Sequence, residues 1–208
     1  MIDAVELYGL EALNDPFRED FERARALLDG PEWERGLEEL EMLAHAGSML
    51  STICVAGCMT KGWYDHKDFA GAEAWYRVAA EAGYAAGHFG LGVTYHQMGR
   101  FSDASVEFQE AASRDYGPAY NALAHLYSRG EGVALDRRKA LALLRTGASR
   151  GHQRAKASLA KALIHGYGGI RGRFEGLARL FQLFAEVWRQ TGAEESAVKR
   201  MTPLPTVH

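Results

Sequence analysis

Three histidines are the clearest candidates for metal chemistry in this sequence. His88 and His96 are two helical turns apart, and His125 lies in the next segment of the chain. Imidazole is a common ligand of zinc, copper, nickel and iron, so histidines on neighbouring helices could hold an ion. No carboxylate recurs beside them, and no HExxH pattern is present. We therefore expect surface or groove histidines, no metal site and no cofactor, and keep a histidine-based metalloenzyme as an alternative.

Two cysteines, Cys54 and Cys58, are four residues apart and share one face if this stretch is helical. They could supply two metal ligands. Cys54, however, occupies a position that holds Gly90, Ala122 and Ser158 elsewhere in the chain, where a small side chain is needed. Free cysteine usually packs as a small buried hydrophobe. We interpret the pair as packing residues and expect a reducing compartment, the cytoplasm.

The glycine-rich stretch GYGGIRG at residues 166–172 is similar to a loop that holds phosphate. A nucleotide-binding loop of that kind follows a β-strand, and the sequence predicts none here. Gly166 and Gly168 instead align, at a distance of 36 residues, with Gly130 and Gly132. We interpret the stretch as a turn within a repeat. With no nucleophile elbow either, we expect the protein not to be an enzyme.

All of these residues belong to the units of an internal repeat. Its first anchor recurs at Val55, Leu91, Leu123 and Leu159, and its second at Gly36, Ala72, Ala104, Ala140 and Gly176. Each second anchor precedes the next first anchor by 19 residues, whereas the reverse distances are 17, 13, 17 and 17. A loop tolerates such a deletion and a packed helix does not. The spacing predicts a constant turn between units and a connection within each unit that is shortest in the second.

The sequence pattern of each unit predicts a pair of helices. The second helix carries alanine pairs such as Ala79-Ala80, which allow backbones to approach closely. Gly47, Gly83 and Gly151 stand where three of these helices end, as expected for a left-handed C-cap. Asp115 stands at the fourth such position, and aspartate tolerates this conformation better than most residues.

The most complete unit, YSRGEGVALDRRKALALLRTGASRG, resembles the Sel1-like repeat, a relative of the tetratricopeptide repeat, as do AGAEAWYRVAAEAGY and LIHGYGGIRGRFEGLARL. The resemblance covers roughly residues 31–188. It implies an all-α fold: an α-solenoid of about four helix-turn-helix repeats whose first helices line a concave face. We predict N-terminal capping helices in residues 1–30, repeats in 31–190 and a C-terminal tail in 191–208. The predicted capping helix carries apolar residues at helical spacing, namely Phe17, Phe21, Ala24 and Leu28.

By analogy with the tetratricopeptide repeat, a partner would bind groove positions of the first helices. These are Ile53, Phe89, Val93, His96, Asn121, His125, Arg129, Lys161 and His165. The groove changes from apolar to basic along the chain. Residues 1–48 hold thirteen acidic and four basic side chains, and residues 129–161 hold two acidic and nine basic. This distribution favours a protein or peptide partner with acidic and apolar features.

The leading functional hypothesis is a non-enzymatic protein–protein interaction module, an adaptor or regulatory solenoid. One alternative is an immunity or chaperone-like partner of another bacterial protein. Another is a nucleic-acid-associated accessory subunit acting through residues 129–161. The net charge of -3 and the lack of interleaved aromatic residues make nucleic acid a poor partner. The acidic N-terminal sequence indicates no signal peptide, and no apolar run predicts a membrane span.

The last predicted helix carries a broad apolar stripe that ends in Phe181, Phe184 and Trp188. We expect about half of the stripe to pack on the preceding helix. The remainder faces the direction in which another repeat would lie, and the pattern of small residues stops here. A short helix at residues 193–201 could fold back over it. A second copy of the chain is the alternative that we favour, so a homodimer through this helix is expected.

Overall fold

The computed structural model describes residues 14–63 and 67–201, although the side chains of residues 186–188 and 190–201 lie outside the described set. Ten α-helices and no β-strand occur in these ranges. The helices are α1 (Arg18–Leu27), α2 (Trp33–His45), α3 (Met49–Lys61), α4 (Phe69–Glu81), α5 (Ala85–Gln97), α6 (Phe101–Ser113), α7 (Gly117–Arg129), α8 (Arg137–Ser149), α9 (Gln153–Ile164) and α10 (Gly169–Met201).

The helices pack as consecutive antiparallel pairs, which confirms the predicted α-solenoid. Four pairs, from α3/α4 to α9/α10, correspond to the four repeats, and α1 pairs with α2 ahead of them. Every turn from one pair to the next contains three residues, at 46–48, 82–84, 114–116 and 150–152. The connection within the second repeat, residues 98–100, is the shortest of the four, as the anchor spacing predicts.

The turns between repeats share one backbone conformation. Gly47, Gly83 and Gly151 have φ of 103°, 91° and 95°, and Asp115 is the only described non-glycine residue with positive φ, at 59°. The following residue donates its backbone N–H to a carbonyl five residues earlier, as Ser48 does to Leu43 at 2.9 Å. This arrangement satisfies a carbonyl at the helix end that would otherwise lack a partner. The predicted left-handed caps are confirmed.

Small residues allow adjacent helices to approach closely. Ala79 and Ala80 of α4 are buried against α5, where a Cβ added to Gly87 would lie 2.5 Å from the Ala80 backbone nitrogen. No larger residue fits that contact without movement of the backbone. All nine repeat anchors are buried, so the periodic residues identified in the sequence form the core.

The N-terminal end is held by a buried carboxylate. Asp15 accepts hydrogen bonds from the backbone N–H of Leu50 at 3.0 Å, the hydroxyl of Ser48 at 3.2 Å and the backbone N–H of Phe17 at 2.9 Å. It thereby joins the start of α1 to the start of α3. Behind it, α1 forms as predicted and buries Phe21 completely.

The C-terminal end departs from the pattern. Helix α10 begins at Gly169, seven residues before its anchor Gly176, so the glycine-rich stretch contributes a short connection at residues 165–168 and the first turn of a helix. The helix then continues unbroken to Met201, and residues 193–201 do not form a separate helix that folds back. None of the helices in the described residues is long and apolar enough to cross a membrane.

Candidate functional site

A cavity of about 370 Å³ opens between α7, α8 and α9 and brings together four of the predicted groove residues. Asn121 and His125 come from α7, Lys161 from α9, and His165 from the residue after it. The apolar part of the lining consists of Ala124, Ala140, Leu144 and Ala162, with the ring of Tyr167 at one side. The cavity therefore offers an ammonium group and imidazoles beside an apolar surface.

The apolar half of the predicted groove is less accessible than the sequence suggested. Ile53 is 6% exposed and belongs to the hydrophobic core. A partner cannot reach it without unpacking α3, so Ile53 is corrected from a groove residue to a core residue. Phe89 and Val93 are partly buried against the same core, and the Phe89 ring lies 5.2 Å from that of Tyr116. Only their outer surfaces remain available.

A second group of side chains lies beside the cavity, where α5 faces α7. The carboxylate Oε2 of Glu131 is 3.2 Å from Nε2 of His96 and 3.7 Å from Nδ1 of His125, and the two imidazole rings are 6.1 Å apart. The three ligand atoms all lie within 4.8 Å of one another. We call His96, His125 and Glu131 the imidazole–carboxylate cluster.

The charges in this cluster are set by its surroundings. Burial lowers the pKa of His125, and the nearby Arg129 guanidinium lowers it further. Burial raises the pKa of Glu131, but hydrogen bonds from His96 and Arg129 outweigh it and leave this pKa below its ordinary value. Near neutral pH, His125 is therefore a neutral imidazole beside an ionised carboxylate.

Glu131 is the residue that sequence reasoning missed. It stands in the connection between α7 and α8, between two glycines with positive φ, Gly130 and Gly132. No periodic signal marks a residue in such a loop. No carboxylate recurs beside the histidines along the sequence, but the fold brings carboxylates to them, since His88 also contacts one, Glu107 on α6, at 2.8 Å.

Arg129, another predicted groove residue, is exposed but does not line the cavity. Its guanidinium Nη1 lies 3.4 Å from Oε1 of Glu131, the carboxylate oxygen that does not face the histidines. Part of its charge is therefore neutralised within the chain.

The two cysteines lie on α3, as the helical spacing predicts. Cys58 is buried and Cys54 is half-buried. A hydrogen bond with Cys54, together with burial, raises the pKa of the Cys58 thiol well above its ordinary value. A thiol held in the protonated form is a poor nucleophile and a poor metal ligand, which favours the packing interpretation.

The apolar stripe of α10 is exposed from Ile170 to Phe184, the part whose side chains the structure describes. The exposed residues include Ile170, Phe174, Leu177, Leu180, Phe181 and Phe184. The helix contacts α9 through its glycines instead, because a Cβ added to Gly176 would lie 2.8 Å from the Ile164 nitrogen. The expectation that half of the stripe packs on the preceding helix is therefore wrong. The side chain of Trp188 lies outside the described residues.

The sequence matches no protein-family model and no curated protein. The structure does match solved structures. A Sel1 repeat protein from Oxalobacter formigenes is similar to it with a TM-score of 0.66 and 19% sequence identity, over 80% of this chain and 72% of that one. A protective antigen present in uropathogenic Escherichia coli strains, which displays an SLR fold, is similar with a TM-score of 0.64 and 19% identity.

The second match covers 95% of this chain but only 51% of the antigen, so the chain spans about half of that protein's length. At this level of identity the similarity concerns the fold. The paired helices, the constant turns and both matches agree with the resemblance seen in the sequence: the chain has the Sel1-like repeat fold.

Proposed function

We propose that this chain is a non-enzymatic protein-interaction module that binds a protein or peptide partner along its concave face. The observation that carries the proposal is the cavity between α7, α8 and α9. It combines an apolar surface with polar and basic side chains, which is the composition expected of a site for one anchoring side chain and a neighbouring carboxylate. We expect it to work in a reducing compartment such as the cytoplasm, because neither cysteine forms a disulfide.

The partner segment is proposed to be acidic and apolar. Lys161 is exposed at the cavity and can approach a carboxylate, while Ala124, Leu144 and Ala162 can contact an apolar side chain. His125 and His165 supply further hydrogen-bonding nitrogens. Phe89 and Val93 extend the apolar surface toward the N-terminal repeats through the parts of their side chains that are not packed on the core.

A charge reversal at the cavity tests this proposal. The chain is immobilised and used to capture partners from a native extract, in parallel with Lys161→Glu and Arg138→Glu. Arg138 is an exposed basic residue on α8 that does not line the cavity, so it matches the charge change. We expect Lys161→Glu to lose the partner and Arg138→Glu to retain it. With the purified partner, the association rate should fall about tenfold and become less sensitive to salt.

Equal affinity of Lys161→Glu and the wild type for the identified partner would place the interface elsewhere, for example on the convex face. Lys161 is preferred to Arg129 for this test, because removing Arg129 also releases Glu131 from an ion pair. The captured partner also separates an adaptor from an immunity or chaperone-like protein. In those cases the partner is a protein that the chain keeps inactive or folded.

The internal contacts of the basic side chains argue against nucleic acid as the partner. Arg145 pairs with Glu175, Arg150 pairs with Asp115, and Lys139 donates to the hydroxyl of Tyr127 at 2.6 Å. Contact with phosphate would require these groups to leave their partners. We expect no binding to single-stranded or duplex DNA or RNA in a mobility-shift assay at physiological salt.

We propose in addition that α10 mediates self-association. Phe174, Phe181 and Phe184 are 71, 74 and 65% exposed, and they follow one another on one side of the helix. An apolar surface of this kind on a folded chain usually has a partner. A second copy related by a two-fold axis places the same surface on both sides of the contact.

A further inference from the structure

The imidazole–carboxylate cluster has the ligand types of a transition-metal site. Neutral imidazole suits zinc, cobalt, nickel and copper, and a carboxylate is a common third ligand. The three residues come from different elements, since His96 lies in the last turn of α5, His125 lies on α7, and Glu131 is in the connection after α7. Residues separated by up to 35 positions are thus brought to one point by the stacking of two repeats.

The distances are close to those that an ion requires. Zinc–nitrogen and zinc–oxygen bonds of about 2.0–2.2 Å in a tetrahedral site separate neighbouring ligand atoms by about 3.3 Å. His96 Nε2 and Glu131 Oε2 are already 3.2 Å apart. His125 Nδ1 is 3.7 Å from the same oxygen, and its side chain is 46% exposed, so a small rotation can complete the set.

Groups outside the cluster fix the carboxylate without competing for its ligand oxygen. Arg129 contacts Oε1 of Glu131, which leaves Oε2 directed at both histidines. Such outer contacts orient the ligands of metal sites. The ring of Phe101 lies 5.1 Å from that of His96 and covers one side of the imidazole. The side chains of the three ligands nevertheless remain 23–46% exposed, so an ion can enter from solvent.

We propose that His96, His125 and Glu131 form a binding site for a divalent transition-metal ion of the zinc class. Three protein ligands leave at least one coordination position open. His125 also lines the cavity between α7, α8 and α9, so this position lies beside the surface that we propose for the partner. The site itself does not depend on that proposed function, because the ion is held by residues of this chain alone.

The site is tested by metal binding to the untagged, reduced and chelator-treated chain. Calorimetric titration with Zn²⁺ should saturate at one equivalent, and Co²⁺ should give visible d–d absorption bands. His96→Ala, His125→Ala and Glu131→Gln should each weaken Zn²⁺ binding by at least about tenfold, the loss produced even when only an outer-shell partner is removed. Zn²⁺ should raise the thermal unfolding midpoint of the wild type by more than that of any of the three variants.

His165→Ala is the matched control, since His165 lines the adjacent cavity but is not part of the cluster. It should bind Zn²⁺ like the wild type. Far-ultraviolet circular dichroism is used to check that each variant remains helical. The proposal is overturned if the wild type binds neither ion, or if the three cluster variants bind as the wild type does, which would assign the ion to other histidines or to the cysteines. A loss confined to His165→Ala would place the ion in the cavity and also overturn it.

Discussion

At the N-terminal end of the solenoid, α1 buries Phe21 and Ala24 completely. At the C-terminal end, α10 leaves Phe181 74% and Phe184 65% exposed. Both helices carry apolar residues at helical spacing, and their sequences alone do not distinguish the two outcomes. The difference arises from the neighbouring elements. Helix α1 lies over α2 and α3, whereas α10 has α9 on one side and no further repeat among the described residues on the other.

An end helix closes a solenoid only when its apolar side faces a core that is already formed. Asp15 fixes α1 in that position through three hydrogen bonds. Helix α10 is fixed on α9 by a glycine-lined contact instead, and this contact leaves Phe174, Phe181 and Phe184 directed away from the core. One end therefore buries its apolar side chains, and the other leaves Phe181 and Phe184 exposed.

The largest effect is expected from truncating the aromatic residue at the closed end. Phe21→Ala should lower the free energy of unfolding by about 3–5 kcal/mol, the range for deleting a buried phenylalanine. Phe181→Ala is the matched change at the open end and should stay within about 0.5 kcal/mol when the chain is monomeric. Urea denaturation followed by circular dichroism measures both. Equal losses for the two variants would show that Phe181 is also buried in the folded chain.

The next effect concerns association at the open end. Replacing Phe181 and Phe184 together by serine removes two large apolar side chains from the proposed contact, each worth about 1.5–3 kcal/mol when fully buried. The dimer should then weaken by at least about a hundredfold. Light scattering across a concentration series measures this change. A wild-type chain that stays monomeric at high micromolar concentration contradicts the homodimer.

A smaller effect is expected at the carboxylate that holds the closed end. Asp15→Ala leaves the Leu50 N–H and the Ser48 hydroxyl without this acceptor and should lower the free energy of unfolding by about 1–3 kcal/mol. Asp29→Ala, at an exposed position in the turn after α1, is the control and should have little effect. If both variants unfold at the same urea concentration, the buried hydrogen bonds do not stabilise this end.

The repeat could be predicted from the sequence because it is encoded locally. Each turn between repeats has a glycine or aspartate, each close helix contact has a small residue, and the spacing between units is constant. All three features follow from the way one repeat packs on the next. Asp115 illustrates this, since its position among three aligned glycines predicts the left-handed conformation that the structure shows. The anchor distances of 17, 13 and 17 also agree with connections of seven, three and seven residues in the first three repeats. The fourth repeat has the same distance of 17 but a connection of four residues, because α10 begins seven residues before its anchor.

The candidate sites could be predicted only in part, because they depend on contacts between units. Glu131 meets His96 across 35 residues, and Asp15 meets Leu50 across the same separation. Neither contact has a periodic signal. The repeat position of Ile53 predicts a groove residue, whereas its burial depends on how the surrounding helices pack. Positional analogy locates a face of a helix, but it does not determine how much of that face its neighbours cover.

The constant three-residue turn limits where this sequence can vary without altering the stack of repeats. Because every step between repeats uses the same turn, the rotation from one repeat to the next is set on one edge of the stack. The connections on the opposite edge range from three to seven residues without disturbing it. Substitutions or insertions in these connections, one of which holds Glu131, can therefore change the side chains on that edge while the turn between repeats is retained.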